Sequence, residues 1–288
     1  MKESSLSTYA IHAEKHLLPF FGNKSDVTEN EVQEFALMKL REGLSRNTIR
    51  DILLVLRMVM SFGMRHDMIT YYNWKIHLPK ENERKELPVL TKLEQRRMMD
   101  FLNENFSFRN LGLYICICTG MRIGEICALK WDDINLNTKT IMIRRTIERV
   151  YVREKEQSYT KVVIGAPKTI NSIRDIPVSG DLIRILRPIM SLVNTDNYVI
   201  SNKNKPIEPR IYRTYYKRVM TKLGMPNIKF HGLRHTFATR CIESNCDYKT
   251  VSSILGHASI STTMNLYVHP NIDQKRKCIE KMLRTVKK

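Results

Sequence analysis

Long hydrophobic runs are missing from this 288-residue chain. The longest nearly apolar stretch, LGLYICIC at residues 111–118, is far short of the roughly 20 residues that a bilayer span requires. The amino-terminal MKESSLST has no apolar segment of the kind an export signal carries. Cysteine is sparse: Cys116, Cys118, Cys127, Cys241, Cys246 and Cys278 contain no CxxC pair, and the first three read as small core residues. A chain this long buries enough apolar surface to hold without disulfides. A soluble, unsecreted protein in a reduced cytoplasmic setting is expected, with no membrane partner. Neither an internal repeat nor a low-complexity tract is present.

Acidic side chains are also in short supply. Against 48 Lys and Arg stand 29 Asp and Glu, a net charge of +19. Residues 1–85 carry 13 basic and 11 acidic side chains, residues 86–288 carry 35 and 18, so the positive field belongs to the second part. Such a field attracts polyanions and makes association salt-dependent. The basic residues are scattered through folded-looking segments and form no isolated basic amphipathic helix, which favours nucleic acid over a membrane surface.

The expected fold class is mainly α with a small antiparallel β-sheet (α+β). Residues 5–78 read as all-helical: Thr28 and Glu31 form a capping box ahead of Val32, Phe35, Ala36 and Leu40, and Gly43 follows as a stop. The next helix, SRNTIRDILLVLRMVMSFGMRH, places Ile49, Ile52, Leu53, Leu56 and Met60 on one stripe. Arg46, Arg50 and Arg57 lie off it, placed either to meet a phosphate backbone or to face solvent. LPKENERKELPVL reads as a linker. The expected division is therefore a helical domain at 1–79, a linker at 80–90, a second domain at 91–270 and a tail helix at 271–288.

In the second domain a capping box of Thr91 and Glu94 precedes helices at 92–105 and 108–119. TIMIRRTIERVYVREKEQ, YTKVVIGAPK and SIRDIPV then look like one three-stranded β element with a long hairpin. Arg149, Arg153 and Lys155 on that hairpin are candidates for touching DNA or a neighbouring subunit, or else they protect an edge strand. Helices resume after Ser179 and are expected at 209–224, 231–245, 248–256 and 260–267. The tail spaces Ile279, Met282, Leu283 and Val286 as one apolar stripe.

Four separated pieces carry the polar chemistry. In TGMRIGEICALKW, Gly120 allows a tight turn and Glu125, three residues after Arg122, can brace a guanidinium suited to phosphate oxygens. GAPKTINSIRDIP sets Lys168 at the end of a hairpin strand. KFHGLRHTFATRC puts His231, Arg234 and His235 on one helical face and Leu233 with Phe237 on the other, to hold either an anion or a metal. ILGHASISTTMNLYVH places His257 after a glycine and Tyr267 ten residues on. HGLRH lacks the glutamate of HExxH, and Arg234 would repel a cation, so no metal is expected.

Taken together, TGxRxGE, HxLRHT and LGH followed by a tyrosine resemble the tyrosine recombinase family, the phage and conjugative-element integrases. The strands around Lys168 are most similar to integrases of integrative conjugative elements. The resemblance covers nearly all of the second domain, and the helical first part is similar to the family's core-binding domain. It implies that Tyr267 is the nucleophile, leaving a 3′-phosphotyrosine and a free 5′-hydroxyl. Arg122 and Arg234 would clamp the non-bridging oxygens, Lys168 would protonate the leaving oxygen, His231 would act as acid or base, and His257 would support the phosphate. His235 is expected as a structural hydrogen-bonding histidine. The implied partner is double-stranded DNA, bound by a chain monomeric in solution and homotetrameric on synapsed sites, with no cofactor. The tail helix either packs in cis or is donated to a neighbouring protomer. A type IB topoisomerase and a non-catalytic DNA-binding regulator are the rivals. The separate core-binding part favours recombination over the first, and six filled positions argue against the second.

Overall fold

The structure, a computed structural model, describes residues 3–24, 26–70, 72–79, 88–154, 157–167, 170–257 and 259–267, with 276, 279, 280 and 282–284 of the tail. Packing divides the chain into two compact units: residues 1–85 together with 149–163, and residues 86–148 together with 164–288.

The first unit holds α1 (Glu3–His12), a π-helical turn (Ala13–Leu17), α2 (Leu18–Phe21), α3 (Glu29–Arg41) and α4 (Arg46–Arg65). Thr28 and Glu31 close a capping box on α3, with the Thr28 N–H donating to Glu31 Oε2 at 2.9 Å, and Ser45 caps α4. The expected α4 stripe is buried at Ile49, Ile52, Leu53 and Leu56 against Val32, Phe35 and Ala36 of α3, with Leu17 and Phe21 alongside. Helix does not continue to residue 78. Among the described residues, α4 ends at Arg65 and 72–79 carry no helix. Two causes act here: Pro79 disfavours helix at Leu78, and Gln33 satisfies the backbone of His77 by accepting from its N–H (2.8 Å) and donating to its carbonyl (2.9 Å). Trp74 fills the end of the core.

The β region departs from the expected single three-stranded element. β1 (Ile134–Asn135), β2 (Thr140–Ile143) and β5 (Arg174–Pro177) form one antiparallel sheet in the order β1-β2-β5, while β3 (Thr146–Glu154) and β4 (Gln157–Gly165) pair separately. The long first strand breaks at Arg144 and Arg145, where Arg145 Nη2 donates to the buried Asp133 Oδ2 at 2.5 Å. Ile141 then sits opposite both Ile134 and Ile176, and all three are buried. Residues 149–163 of the hairpin pack with the first unit, whereas the expected division placed them within the second domain at 91–270. There the Tyr151 N–H donates to Ser7 Oγ (2.7 Å), its hydroxyl donates to Glu14 Oε2 (2.7 Å), and Arg153 pairs with Glu14 (2.6 Å). The Tyr151 hydrogen bond and then Arg153 hold the Glu14 carboxyl below the usual range.

The second unit is built on α5 (Lys92–Glu104) and α6 (Phe108–Thr119), followed by α7 (Ile123–Ala128), the small sheet, α8 (Gly180–Met190), α9 (Pro209–Lys222), α10 (His231–Glu243), α11 (Tyr248–Leu255) and α12 (Ile260–Tyr267). The apolar run noted in the sequence is α6, buried through Leu111, Leu113, Ile115, Cys116 and Ile117 in a core that includes Trp131, Tyr212 and Tyr216. Both α11 and α12 pack on α10, which also packs on α6. Among the described residues, no helix is long and apolar enough to cross a membrane.

Candidate active site

α6 ends on Gly120, whose φ of 66° is left-handed. A Cβ there would lie 2.6 Å from Phe237 Cδ1 and 2.8 Å from Leu255 Cδ2, so glycine is required both by conformation and by space. The turn delivers two things. Its carbonyl accepts from Arg234 Nη1 at 3.0 Å, and two residues on Arg122 becomes the N-cap of α7.

Glu125 completes that cap and organises the site. Its carboxylate accepts the Arg122 N–H (2.9 Å) and Arg122 Nη1 (2.8 Å), as the spacing in sequence suggested. It also accepts a bidentate fork from Arg174 on β5, at 3.0 and 2.9 Å, which the sequence reading missed. Arg174 continues to the carbonyls of Ile254 (2.5 Å) and Ser172 (3.0 Å). Glu125 is only 3% exposed. Burial alone would push its carboxyl up; the Arg174 fork and then Arg122 outweigh it, leaving the group below its ordinary value.

Arg234, 1% exposed, rises from the first turn of α10 and donates Nη2 to the Leu255 carbonyl at 2.7 Å. Arg122 Nη2 donates to the next carbonyl along, Gly256, at 2.9 Å. Two guanidiniums from distant segments are thus anchored on consecutive carbonyls where α11 ends. Thr236 secures α10 from the other side by accepting the Leu90 N–H at 3.0 Å.

Three histidines surround these arginines. His257 follows Gly256 and is held through Nδ1 by Thr263 Oγ1 at 2.8 Å. His231 and His235 meet edge to face with ring centroids 4.7 Å apart. Burial and then the Arg234 and Arg122 charges pull His257 down to about 4. Burial, His235, Arg234 and Arg122 do the same for His231, also to about 4, although more than a third of that residue faces solvent. His235 is lowered by burial and by Arg234. At neutral pH the histidines are therefore uncharged beside fixed cations, and the three guanidiniums of Arg122, Arg174 and Arg234 outnumber the single carboxylate of Glu125.

Beyond His231 opens a cavity of about 660 Å³, floored by Ile123, Tyr216 and Phe230 and rimmed by the exposed Arg213, Lys217 and Lys229. None of these three cations stood out in the sequence; the i, i+4 spacing of Arg213 and Lys217 on α9 was the available signal. The other expected residues fall elsewhere. Arg50 and Arg57 are exposed on α4 and Arg46 opens that helix. Arg149 bonds Thr160 Oγ1 across the hairpin at 2.5 Å, and Arg153 is engaged by Glu14. Tyr267 ends α12, with its side chain outside the described residues. Lys168 and Lys155 lie outside them as well.

The architecture is that of tyrosine recombinases. It matches the Tn1549 transposon integrase, solved with transposon right-end DNA, with a TM-score of 0.74 over 98% of this chain and 100% of that one at 19% identity. A lambda integrase dimer bound to a core site gives 0.61 over 93% of this chain and 72% of that one at 17% identity. The phage integrase family pattern matches residues 88–274, well over half of the sequence, and the chain belongs to the phage integrase family. It is 34% identical over 178 residues to a XerC-like tyrosine recombinase of Caldanaerobacter subterraneus subsp. tengcongensis, covering 56% of this chain and 46% of that protein. It is 24% identical over 289 residues to the ICEBs1 integrase of Bacillus subtilis, covering 93% and 74%. The chain thus spans less than half of the first relative and about three quarters of the second.

Proposed function

We propose that the chain is a site-specific DNA recombinase that cleaves and rejoins double-stranded DNA through a 3′-phosphotyrosine, for integration and excision of a mobile element. The carrying observation is the pair Arg122 and Arg234, anchored on the consecutive carbonyls of Gly256 and Leu255. Carbonyls fix a guanidinium without cancelling its charge, and Glu125, the one carboxylate that also pairs with Arg122, is shared with Arg174. Two preset cations between neutral histidines suit a phosphodiester, whose transition state gathers charge on its non-bridging oxygens.

In this reading the Tyr267 oxygen attacks phosphorus while the bond to the 5′-oxygen breaks. Lys168 delivers a proton to that oxygen, and His231 takes the phenol's proton. A phenol of pKa about 10 needs such a base near neutral pH. The incoming phosphate offsets the field of the two arginines and so makes His231 more basic when it is needed. His257, its ring fixed by Thr263, donates to a phosphate oxygen. Rejoining reverses the steps with another 5′-hydroxyl and conserves the bond energy without a cofactor. Arg213, Lys217 and Lys229, beside His231, and Arg46, Arg50 and Arg57 on the first unit, contact neighbouring phosphates. The setting is the cytoplasm, and four protomers assemble on synapsed DNA.

The test is incubation of wild type and Tyr267→Phe with a nicked suicide duplex carrying the element's end, followed by denaturing gels. A covalent adduct with wild type alone is expected; an adduct that survives Tyr267→Phe would remove that residue as nucleophile. Strand transfer between two labelled duplexes then separates recombination from simple nicking and resealing.

A further inference from the structure

We infer that Cys241 and Cys246 form a dithiol site that hydroperoxides convert reversibly to a disulfide. The pair was unremarkable in sequence, because no common motif has this spacing. The fold gives it meaning. α10 ends in a Schellman motif: Asn245 is left-handed at φ 59°, its N–H donates to the Ile242 carbonyl at 3.0 Å, and the Cys246 N–H donates to the Cys241 carbonyl at 3.0 Å. That last bond places the side chains at these two positions in contact, a place usually filled by two apolar residues. Here both are cysteines.

The two sulfurs differ in access. Cys246 is exposed, whereas Cys241 is half-buried against the cluster of Ala238, Ile242, Val251 and Leu255. Burial, and then its partner, push the Cys241 thiol up to about 11. Cys246 is therefore the sulfur that reacts first. Its thiolate attacks the terminal oxygen of a hydroperoxide and cleaves the O–O bond, giving a sulfenic acid and an alcohol or water. Cys241, losing its proton, attacks the Cys246 sulfur and expels hydroxide, which that proton converts to water. Two thiols are oxidised by two electrons, the peroxide is reduced, and atoms balance. The geometry captures the sulfenic acid before it oxidises further or couples to another chain. Because the turn already brings the two positions together, the bridge closes without unwinding α10, and it staples the corner from which α11 runs to the carbonyls of Leu255 and Gly256.

The two cysteines fall in one tryptic peptide, Cys241–Lys249, which makes the test direct. The full chain is treated with hydrogen peroxide, alkylated, digested and weighed. The expected result is a peptide lighter by two hydrogens, with alkylation lost at both cysteines and restored by dithiothreitol. Buried Cys116 and Cys127 serve as unreacted controls. In Cys246→Ser the mass loss disappears and Cys241 remains open to alkylation. Thermal unfolding of the oxidised wild type, without reductant, has a higher midpoint than that of the reduced protein. The inference is overturned if Cys246 proceeds to sulfinic acid while Cys241 stays alkylatable, or if Cys246 couples instead to Cys278 or to a second chain.

Discussion

At the scale of single residues the site turns on Glu125, a buried carboxylate shared between two guanidiniums. Removing Arg174 would strand half of that charge and leave the carbonyls of Ile254 and Ser172 without this donor. Loss of one partner from a buried pair costs about 3–5 kcal/mol, and Arg174→Ala is expected to lower unfolding stability in urea by about that much. Arg174→Lys should recover only part of it, since an ammonium cannot reproduce the fork. A second expectation concerns pH. His257 is held at about 4 in the folded chain against an ordinary 6.5, so above pH 6.5 both states leave it neutral and nothing is lost. Between 6.5 and about 4 the unfolded chain binds protons that the folded site refuses, and stability falls on acidification through that window. His231 adds in the same direction. Lowered Glu125 contributes stability that is lost further down, as pH falls through its depressed value. The urea midpoint followed from pH 7 to 4 checks this, and His257→Gln should flatten the upper part of the decline. Arg122 with Glu125, and His231 with Arg234, were readable because three-residue spacing on a helix brings them together. Arg174 was not, since its carboxylate lies 49 residues away and nothing local marks it.

At the scale of elements the turn after α6 is the least tolerant point. Gly120→Ala would force a left-handed backbone and push a methyl onto Phe237 and Leu255, displacing the carbonyl that holds Arg234. The strain alone is worth about 1–3 kcal/mol, and covalent capture of DNA should drop further than stability does; an unchanged rate of capture would show that this carbonyl does not position Arg234. The helices were legible because caps and stripes are local: Thr28 with Glu31 and Thr91 with Glu94 form the expected boxes, and Ile49 to Leu56 bury the expected face. The sheets were less so. Strand propensity runs unbroken through Arg144 and Arg145, and only the buried Asp133 that recruits Arg145 divides one expected element into two. The stretch at 72–79 followed the same logic, its hydrogen bonds coming from Gln33 more than 40 residues earlier. The hairpin's anchorage to α1 and the π-helical turn was likewise invisible. Glu14→Ala removes the acceptor for Tyr151 and the partner of Arg153, and should raise proteolytic cleavage in 149–163 while leaving the second unit's unfolding unchanged.

At the scale of the whole molecule, charge and assembly dominate. With a net +19 concentrated after residue 85, DNA affinity should fall steeply with salt, the log–log slope being about −0.9 for each phosphate neutralised. Replacing Arg213 and Lys217 together should lower that slope by about 2 if both meet phosphates. Among the described tail residues, Ile279, Met282 and Leu283 are exposed at i, i+3 and i+4, a stripe suited to covering by a neighbouring protomer. Truncation after Pro270 should then weaken cooperative assembly on paired sites more than binding to one site; equal loss in both would favour packing within the chain. Central to all of this is the claim that Arg122 and Arg234 act by offsetting charge on one scissile phosphate. The most direct measurement replaces that phosphate by a neutral methylphosphonate and follows covalent capture by Arg122→Ala. Capture should be lost on the ordinary phosphodiester and regained on the neutral analogue, where there is no longer a charge to offset. If the variant stays inactive on both while the wild type cleaves both, the clamp is not what makes this site work.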